Sequence, residues 1–130
     1  MKKILILFTI LIISSLSCFA QSFTVTEIKS RGINENDLRE KKEQMLGAKF
    51  NMAFCDSSVK IKVTTTEGEY TTIVLDISPD KHSDYFCQIG EHQYFLTLNK
   101  SFGEIESATF SSATIAIQPE IFWDTLKKSK

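Results

Sequence analysis

The 130-residue chain has little of what interrupts regular structure, with only 5 Gly and 2 Pro. That scarcity excludes a collagen-like or low-complexity protein, and a chain in which 42% of the residues are hydrophobic can bury enough apolar surface to fold. An excess of either charge sign is also missing, because 15 basic residues face 16 acidic ones. The sequence therefore shows no basic footprint for nucleic acid, and its length allows one domain.

Catalytic and cofactor motifs are absent as well. The chain contains no G-x-G-x-x-G, P-loop, H-E-x-x-H or G-x-S-x-G pattern. Asp80, His82 and Asp84 could offer oxygen and nitrogen ligands to calcium, but they lack the glycine and distal glutamate of an EF-hand and fit a solvated turn better. We expect no metal and no cofactor.

The N-terminus has the pattern of an export signal. Lys2 and Lys3 precede an apolar run over residues 4–13, which would span about 15 Å as a helix, too short for a bilayer core of about 30 Å. Cys18 and Ala20 then form an A-x-A-like site, so we predict a signal peptide over residues 1–20, cleaved after Ala20, and a single domain over residues 21–130. This pattern favours a bacterial periplasmic or secreted protein with no transmembrane segment in the mature chain.

Lipoprotein processing at Cys18 is the alternative for this segment. The segment resembles a bacterial lipobox, but Ser15 stands where that motif normally has Leu. We therefore favour cleavage after Ala20.

Cleavage after Ala20 would leave Cys55 and Cys87 as the only cysteines. In an oxidising compartment these two are expected to form a disulfide, closing a loop of about 33 residues with a stabilisation of about 3–4 kcal/mol. Two buried thiols are the alternative.

The first part of the domain predicts a strand followed by a helix. Residues 22–29 alternate apolar and polar side chains, as a half-buried strand does. Residues 34–46 suit a helix that Asn34 caps and Gly47 ends, with a narrow apolar face that would lie over another element.

From Ala48 onward the apolar residues recur every second position, which predicts antiparallel strands. We expect a hairpin across residues 67–69 that sets Val63 opposite Ile73. A second hairpin, with a type II′ turn at Gly90-Glu91, would set Phe86 opposite Phe95. Residues 104–110 and 113–118 predict two further strands, and Pro119 predicts the start of a short C-terminal helix ending near residues 127–128.

These elements predict a mainly β fold, an antiparallel meander of seven to eight strands curled into a small barrel or sandwich. A cystatin-like α+β arrangement, with the helix gripped by a sheet, is the alternative. In its pattern of strands the plan resembles small lipocalin-like secreted domains.

The aromatic side chains suggest what such a fold could do. If the sheet closes, inward-facing rings could line a pocket for a small apolar ligand, and the candidates are Phe50, Phe54, Phe86, Tyr94, Phe95 and Phe110. We therefore expect a non-enzymatic binding domain, a lipocalin-like carrier or sensor of an apolar ligand. An interaction or inhibitor module that binds a protein of the cell envelope is the first alternative, with an exposed apolar patch near Phe102 or Trp123 as its mark.

A hydrolase is the second alternative. It would need two carboxylates held in a cleft, or a cysteine–histidine pair drawn from Cys87 and His92. The candidate carboxylates are Glu67, Glu69, Glu104 and Glu106.

Overall fold

Alternating apolar residues from Phe19 to Leu126 form eight antiparallel strands, which close into a barrel in the computed structural model of the chain. The structure describes residues 18–78, 83–115 and 120–129. Most of the predicted signal peptide, together with Asp80, His82 and Pro119, lies outside these residues.

The strands follow one another around the barrel in chain order, and the helix lies between the first two. The elements are β1 (Phe19–Arg31), α1 (Glu35–Met45), β2 (Lys49–Phe54), β3 (Ser58–Thr64), β4 (Tyr70–Ile77), β5 (Tyr85–Ile89), β6 (His92–Ser101), β7 (Glu104–Thr114) and β8 (Ile121–Lys128). The predicted mainly β barrel with a helix after the first strand is confirmed, and the cystatin-like alternative is not what the chain adopts.

Pairing between β1 and β8 closes the barrel. The two strands run antiparallel from Phe23 opposite Lys128 to Arg31 opposite Ile121. A β-bulge between Val25 and Glu27 inserts one extra residue. Because of that bulge Val25 and Ile28 both face the interior although they lie three residues apart, and both are buried.

The hydrophobic core consists of the side chains that the strands direct into the barrel. Alternate residues of each strand point inward, as the period of two requires. The fully buried side chains of greatest volume are Phe23, Phe50, Met52, Ile61, Leu75, Leu96 and Leu126.

The two predicted hairpins differ in outcome. The β5–β6 register is confirmed, with Phe86 opposite Phe95. Of the two turn residues, Gly90 has a positive φ and Glu91 does not, as a type II′ turn requires. The β3–β4 register is wrong by two residues, because Ile73 lies opposite Ile61 and not opposite Val63. The β3–β4 turn is longer than predicted, and a shift of two keeps every side chain on its expected face.

The prediction of a short C-terminal helix is wrong. Residues 121–128 form β8, which pairs with β7 on one side and β1 on the other. The predicted break at Ser111-Ser112 is also absent, since β7 runs unbroken to Thr114. Both corrections have one cause: closing the barrel requires a strand between β7 and β1.

The predicted disulfide between Cys55 and Cys87 is wrong too. Cys55 is bonded to Cys18, and Cys87 is free. Phe19 of β1 lies opposite Phe54 of β2. The adjacent residues Cys18 and Cys55 are therefore close enough to bond. Cys87 lies on β5, and β3 and β4 separate β5 from β2.

The helix is attached to one end of the barrel. As predicted, Asn34 caps it by accepting a hydrogen bond from the backbone N–H of Asp37 at 2.8 Å. None of its residues is fully buried, but Leu38 and Met45 pack against the core. Near its C-terminus the Thr66 hydroxyl donates to the carbonyl oxygens of Glu43 and Gln44, so the β3–β4 turn holds α1 over the opening.

A pair of adjacent substitutions on β4 tests the assignment of faces. Leu75 is fully buried, whereas Val74 is 50% exposed on the outer surface. We expect Leu75→Ala to lower the free energy of unfolding by about 2–5 kcal/mol, and Val74→Ala by no more than about 0.5 kcal/mol. Urea denaturation followed by circular dichroism measures both, and equal losses would contradict the barrel's inside and outside as described.

Candidate ligand-binding cavity

The two ends of the barrel are built differently. One end carries the N-terminus of β1, the Cys18–Cys55 bridge and a cluster of rings, in which Phe19 stacks on Phe54 with centroids 5.0 Å apart. The other end carries α1, the β3–β4 turn and the β5–β6 turn. The first end is filled by side chains, and the second contains a cavity.

The cavity has a volume of about 430 Å³ and lies inside the barrel beneath α1. That volume falls within the range of about 300–1,000 Å³ that is usual for small-molecule sites. Half of its lining residues are apolar or aromatic: Met45, Phe50, Val63, Ile73, Tyr94, Phe110, Ala113 and Phe122. The polar lining residues are Lys41, Thr65, Thr71, His92, Ser112, Thr114, Glu120 and Asp124.

The structure brings together three of the six aromatic residues predicted to bind a ligand. Phe50, Tyr94 and Phe110 line the cavity, and their rings touch, with centroid distances to Phe110 of 5.3 Å from Phe50 and 5.9 Å from Tyr94. Phe54 also faces inward but belongs to the filled end, where it contacts Tyr85.

Phe86 and Phe95 do not face the interior. They lie opposite one another with ring centroids 5.1 Å apart, on the outer surface of β5 and β6. Their neighbours Cys87 and Tyr94 occupy the inward positions, because alternate residues of a strand point to opposite faces.

Asp124 is a charged residue in the barrel interior. It is 1% exposed, and no other charged side chain among the described residues is buried. Its Oδ1 atom has no hydrogen-bond partner within the described part of the chain. Burial raises the pKa of Asp124 above its ordinary value, and the charge of Lys41 opposes that rise.

Lys41 reaches the same cavity from the helix. Its Nζ atom lies 3.7 Å from the centroid of the Phe122 ring, a cation–π contact. Burial lowers the pKa of Lys41, and attraction to Asp124 partly offsets this effect. Lys41 and Asp124 thus bring one basic and one acidic group to the same cavity.

Sequence reasoning did not identify Lys41 or Asp124. The signal for Asp124 was the period of two over residues 121–128, which puts Phe122, Asp124 and Leu126 on one face. A helical interpretation of that segment hid the inward carboxylate. Lys41 carries no such signal, since its position depends on how α1 lies over the barrel.

A second concavity lies on the outer face of β6, β7 and β8. It has a volume of about 610 Å³ and opens to solvent, and Phe95, Ile121 and Trp123 supply its apolar part. The predicted patch near Trp123 is therefore a groove. Phe102 stands apart from it, fully exposed in the β6–β7 turn.

The other candidate residues are dispersed. The side chains of Glu67, Glu69, Glu104 and Glu106 are exposed, and Cys87 faces the core from β5. Of the proposed calcium ligands only Asp84 is described, and its carboxylate accepts a hydrogen bond from the Leu98 N–H at 2.7 Å.

Within residues 18–78, 83–115 and 120–129, no three His, Cys, Asp or Glu side chains come together as potential metal ligands. No helix in that part of the chain is long and apolar enough to cross a bilayer.

The fold and the cavity together define a small up-and-down antiparallel barrel with an interior that opens at one end. Comparison with models of protein families, with curated proteins and with solved structures finds no match for this chain. The cavity itself is therefore the feature from which a function is inferred.

The buried carboxylate predicts a pH dependence of stability. Because its pKa is higher in the folded than in the unfolded state, the contribution of Asp124 to stability is fully present below the unfolded value of about 4, and is lost as the pH rises through the folded value. Asp124→Asn cannot ionise. We expect the variant to gain stability relative to the wild type as the pH rises from about 4 to about 7.

Urea denaturation at a series of pH values measures this difference. Asp76→Asn, at an exposed position on β4, controls for the loss of one carboxylate from the chain. A difference between Asp124→Asn and wild type that stays constant over this pH range would contradict the assignment.

Proposed function

We propose that this protein is an exported, non-enzymatic binding domain, a lipocalin-like carrier or sensor that holds a small, mostly apolar ligand inside the barrel. The observation that carries the proposal is the cavity of about 430 Å³ beneath α1, with the rings of Phe50, Tyr94 and Phe110 on its wall. An apolar interior with a few polar groups is the usual form of a small-molecule site.

The position of α1 supports the same function. The helix covers the open end of the barrel with no residue fully buried, whereas the strands supply every buried core residue except Ala48. Elements with few buried apolar contacts are the ones that open at low free-energy cost. A ligand can therefore enter beside α1 without disturbing strand pairing.

An uncharged fluorescent probe tests the proposal. We expect N-phenyl-1-naphthylamine to bind with one-to-one stoichiometry and a rise in fluorescence. Ser112 lines the cavity, and Ser112→Phe would place a ring in the space that the probe needs, so its affinity should fall by about tenfold or more. Titration of the probe into each variant measures the affinity, with circular dichroism to confirm folding.

Ser111→Phe is the matched control. Ser111 is the preceding residue on β7 and lines the outer groove, so the same substitution there leaves the interior open. Retention of binding in Ser112→Phe together with loss in Ser111→Phe would overturn the carrier proposal. That result would favour the second candidate, an interaction module that uses the groove around Trp123.

We further infer that the chain is exported and cleaved after Ala20. The Cys18–Cys55 bridge supports export alone, because disulfides are typical of oxidising, extracytoplasmic compartments. Cleavage after Ala20 is inferred from the pattern of residues 1–20, and it would remove Cys18 and with it this bridge. The position of the proposed cleavage site in the fold is compatible with a closed barrel. The β1–β8 pairs begin at Phe23, and removal of residues 1–20 takes away only the Phe19 and Ala20 pairs from β1–β2.

The thiols of the mature protein test this inference. Cleavage after Ala20 removes Cys18, so Cys55 and Cys87 should both be free. We expect intact mass spectrometry of protein from the producing cells to show a chain beginning at Gln21, with two carbamidomethyl adducts after iodoacetamide treatment under denaturing conditions.

Other adduct counts would contradict part of this proposal. A chain that retains Cys18 and takes one adduct would overturn cleavage after Ala20. A chain beginning at Gln21 that takes no adduct would mean that Cys55 and Cys87 are bonded, against their placement on separated parts of the barrel.

A further inference from the structure

The two ends of α1 are attached to the barrel in different ways. At the C-terminal end the Gly47 N–H donates to the Val25 carbonyl oxygen at 2.9 Å. The Thr66 N–H donates to the Gln44 carbonyl oxygen at 3.0 Å, and the Thr66 hydroxyl lies 3.0 Å from the Glu43 carbonyl oxygen. Hydrogen bonds therefore fasten the last turn of the helix to β1 and to the β3–β4 turn.

The N-terminal half of α1 has no such attachment. The hydrogen bonds of Asn34 go to Asp37 and Leu38 and so stay within the helix. Among residues 18–78, 83–115 and 120–129, no hydrogen bond joins residues 34–41 to a strand. This half contacts the barrel through the half-buried side chains of Leu38 and Lys41.

The contact of Lys41 with Phe122 connects α1 to β8 across the cavity. The Lys41 Nζ atom lies 3.7 Å from the centroid of the Phe122 ring, and both residues line the cavity. A cation–π contact is stronger in a partly desolvated position than at an exposed one, and burial acts on the pKa of Lys41 in this structure. This contact is therefore the main directional interaction that holds the N-terminal half of α1 over the opening.

The backbone beside α1 can absorb a change in its position. Gly32 has a φ of 79°, which glycine adopts without strain, and it directly follows Arg31, the last paired residue of β1. Such residues at the end of an element are the usual places for a hinge. A helix of 11 residues is also marginal in water by itself, so α1 depends on its contacts with the barrel.

We propose that α1 is a lid whose N-terminal half lifts from the barrel to admit the ligand, while its last turn stays fastened, and that the Lys41–Phe122 contact is the latch that holds the lid closed. The inference rests on the proposed carrier function and adds to it the route of the ligand and the contact that controls its passage. Lifting opens the cavity between α1 and β8 and breaks no strand pairing.

The kinetics of probe binding test the latch. Lys41→Met keeps an unbranched side chain but removes the cation. We expect the association and dissociation rates of N-phenyl-1-naphthylamine both to rise about fivefold, because both steps need the open lid. Stopped-flow fluorescence measures the two rates. Lys42→Met is the matched control, because Lys42 is the next residue of α1 and is exposed, and its rates should equal those of the wild type.

A double-mutant cycle assigns the effect to the contact itself. Phe122→Leu removes the ring from the other side of the latch. If Lys41 acts through that ring, Lys41→Met should change the rates by less than about twofold in the Phe122→Leu background. A full fivefold effect in that background would mean that Lys41 acts on the ligand or elsewhere, and it would overturn the latch.

Hydrogen exchange tests the lid without any ligand. A lifted N-terminal half loses its packing and unravels, so its amide hydrogens exchange through this opening. We expect Lys41→Met to lower the protection of residues 38–41 about fivefold and to leave the Gly47 amide, which is bonded to Val25, unchanged. Nuclear magnetic resonance measures exchange at each amide.

The outcomes separate the lid from the carrier function. If the probe binds inside the barrel but Lys41→Met changes neither the rates nor the protection, the carrier function stands and the lid is overturned. If Thr66→Val, at the fastened end, accelerates probe binding more than Lys41→Met does, the helix opens at its other end and the proposal is likewise overturned. If the probe does not bind inside the barrel, the carrier function itself fails, and a protection unchanged by Lys41→Met would overturn the latch independently.

Discussion

The pairing of β8 with β1 is the interaction on which the rest of the structure depends. Without it the meander would be an open sheet with two unpaired edges and one wet face. The same pairing sets Asp124 opposite Ile28 of β1, whose side chain is buried, and so directs the carboxylate inward. Closure and the position of the charged group in the cavity therefore have a common origin.

Local sequence patterns predict most strands of the barrel. They fail where pairing with strands distant in the sequence determines the structure of a segment. The alternation in β2 and β3, the Asn34 cap and the Gly90-Glu91 turn depend on neighbouring residues, and sequence alone predicts them. Residues 121–128 fit a helix or a strand equally well, and the unpaired edges of β7 and β1 decide between the two. Of the six predicted aromatic residues, Phe86 and Phe95 lie on the outer surface, because period alone does not say which face turns inward. Phe54 faces inward as predicted but lies at the other end of the barrel from the cavity.

The disulfide and the proposed cleavage exclude one another in a single molecule, since cleavage after Ala20 removes Cys18. The bridge joins β1 and β2 at the filled end of the barrel, where Phe19 stacks on Phe54. The cavity lies at the opposite end, and its lining includes neither the bridged cysteines nor the first two residues of β1. The proposed cleavage would therefore remove the bridge without removing any residue that lines the cavity.

A barrel that needed only to be filled would have an apolar side chain at position 124, as it does at Phe122 and Leu126 on the same face of β8. Burial raises the pKa of Asp124 because it disfavours the ionised form, so ionisation of this carboxylate lowers the stability of the fold. Empty volume has the same effect, because it removes packing contacts from the surrounding side chains. Both costs fall at the end of the barrel that α1 covers, while rings of Phe19, Phe54 and Tyr85 pack together at the other end. Binding sites are where proteins commonly give up stability in this way, and the coincidence of cavity and carboxylate is the physical basis for assigning this end to a ligand.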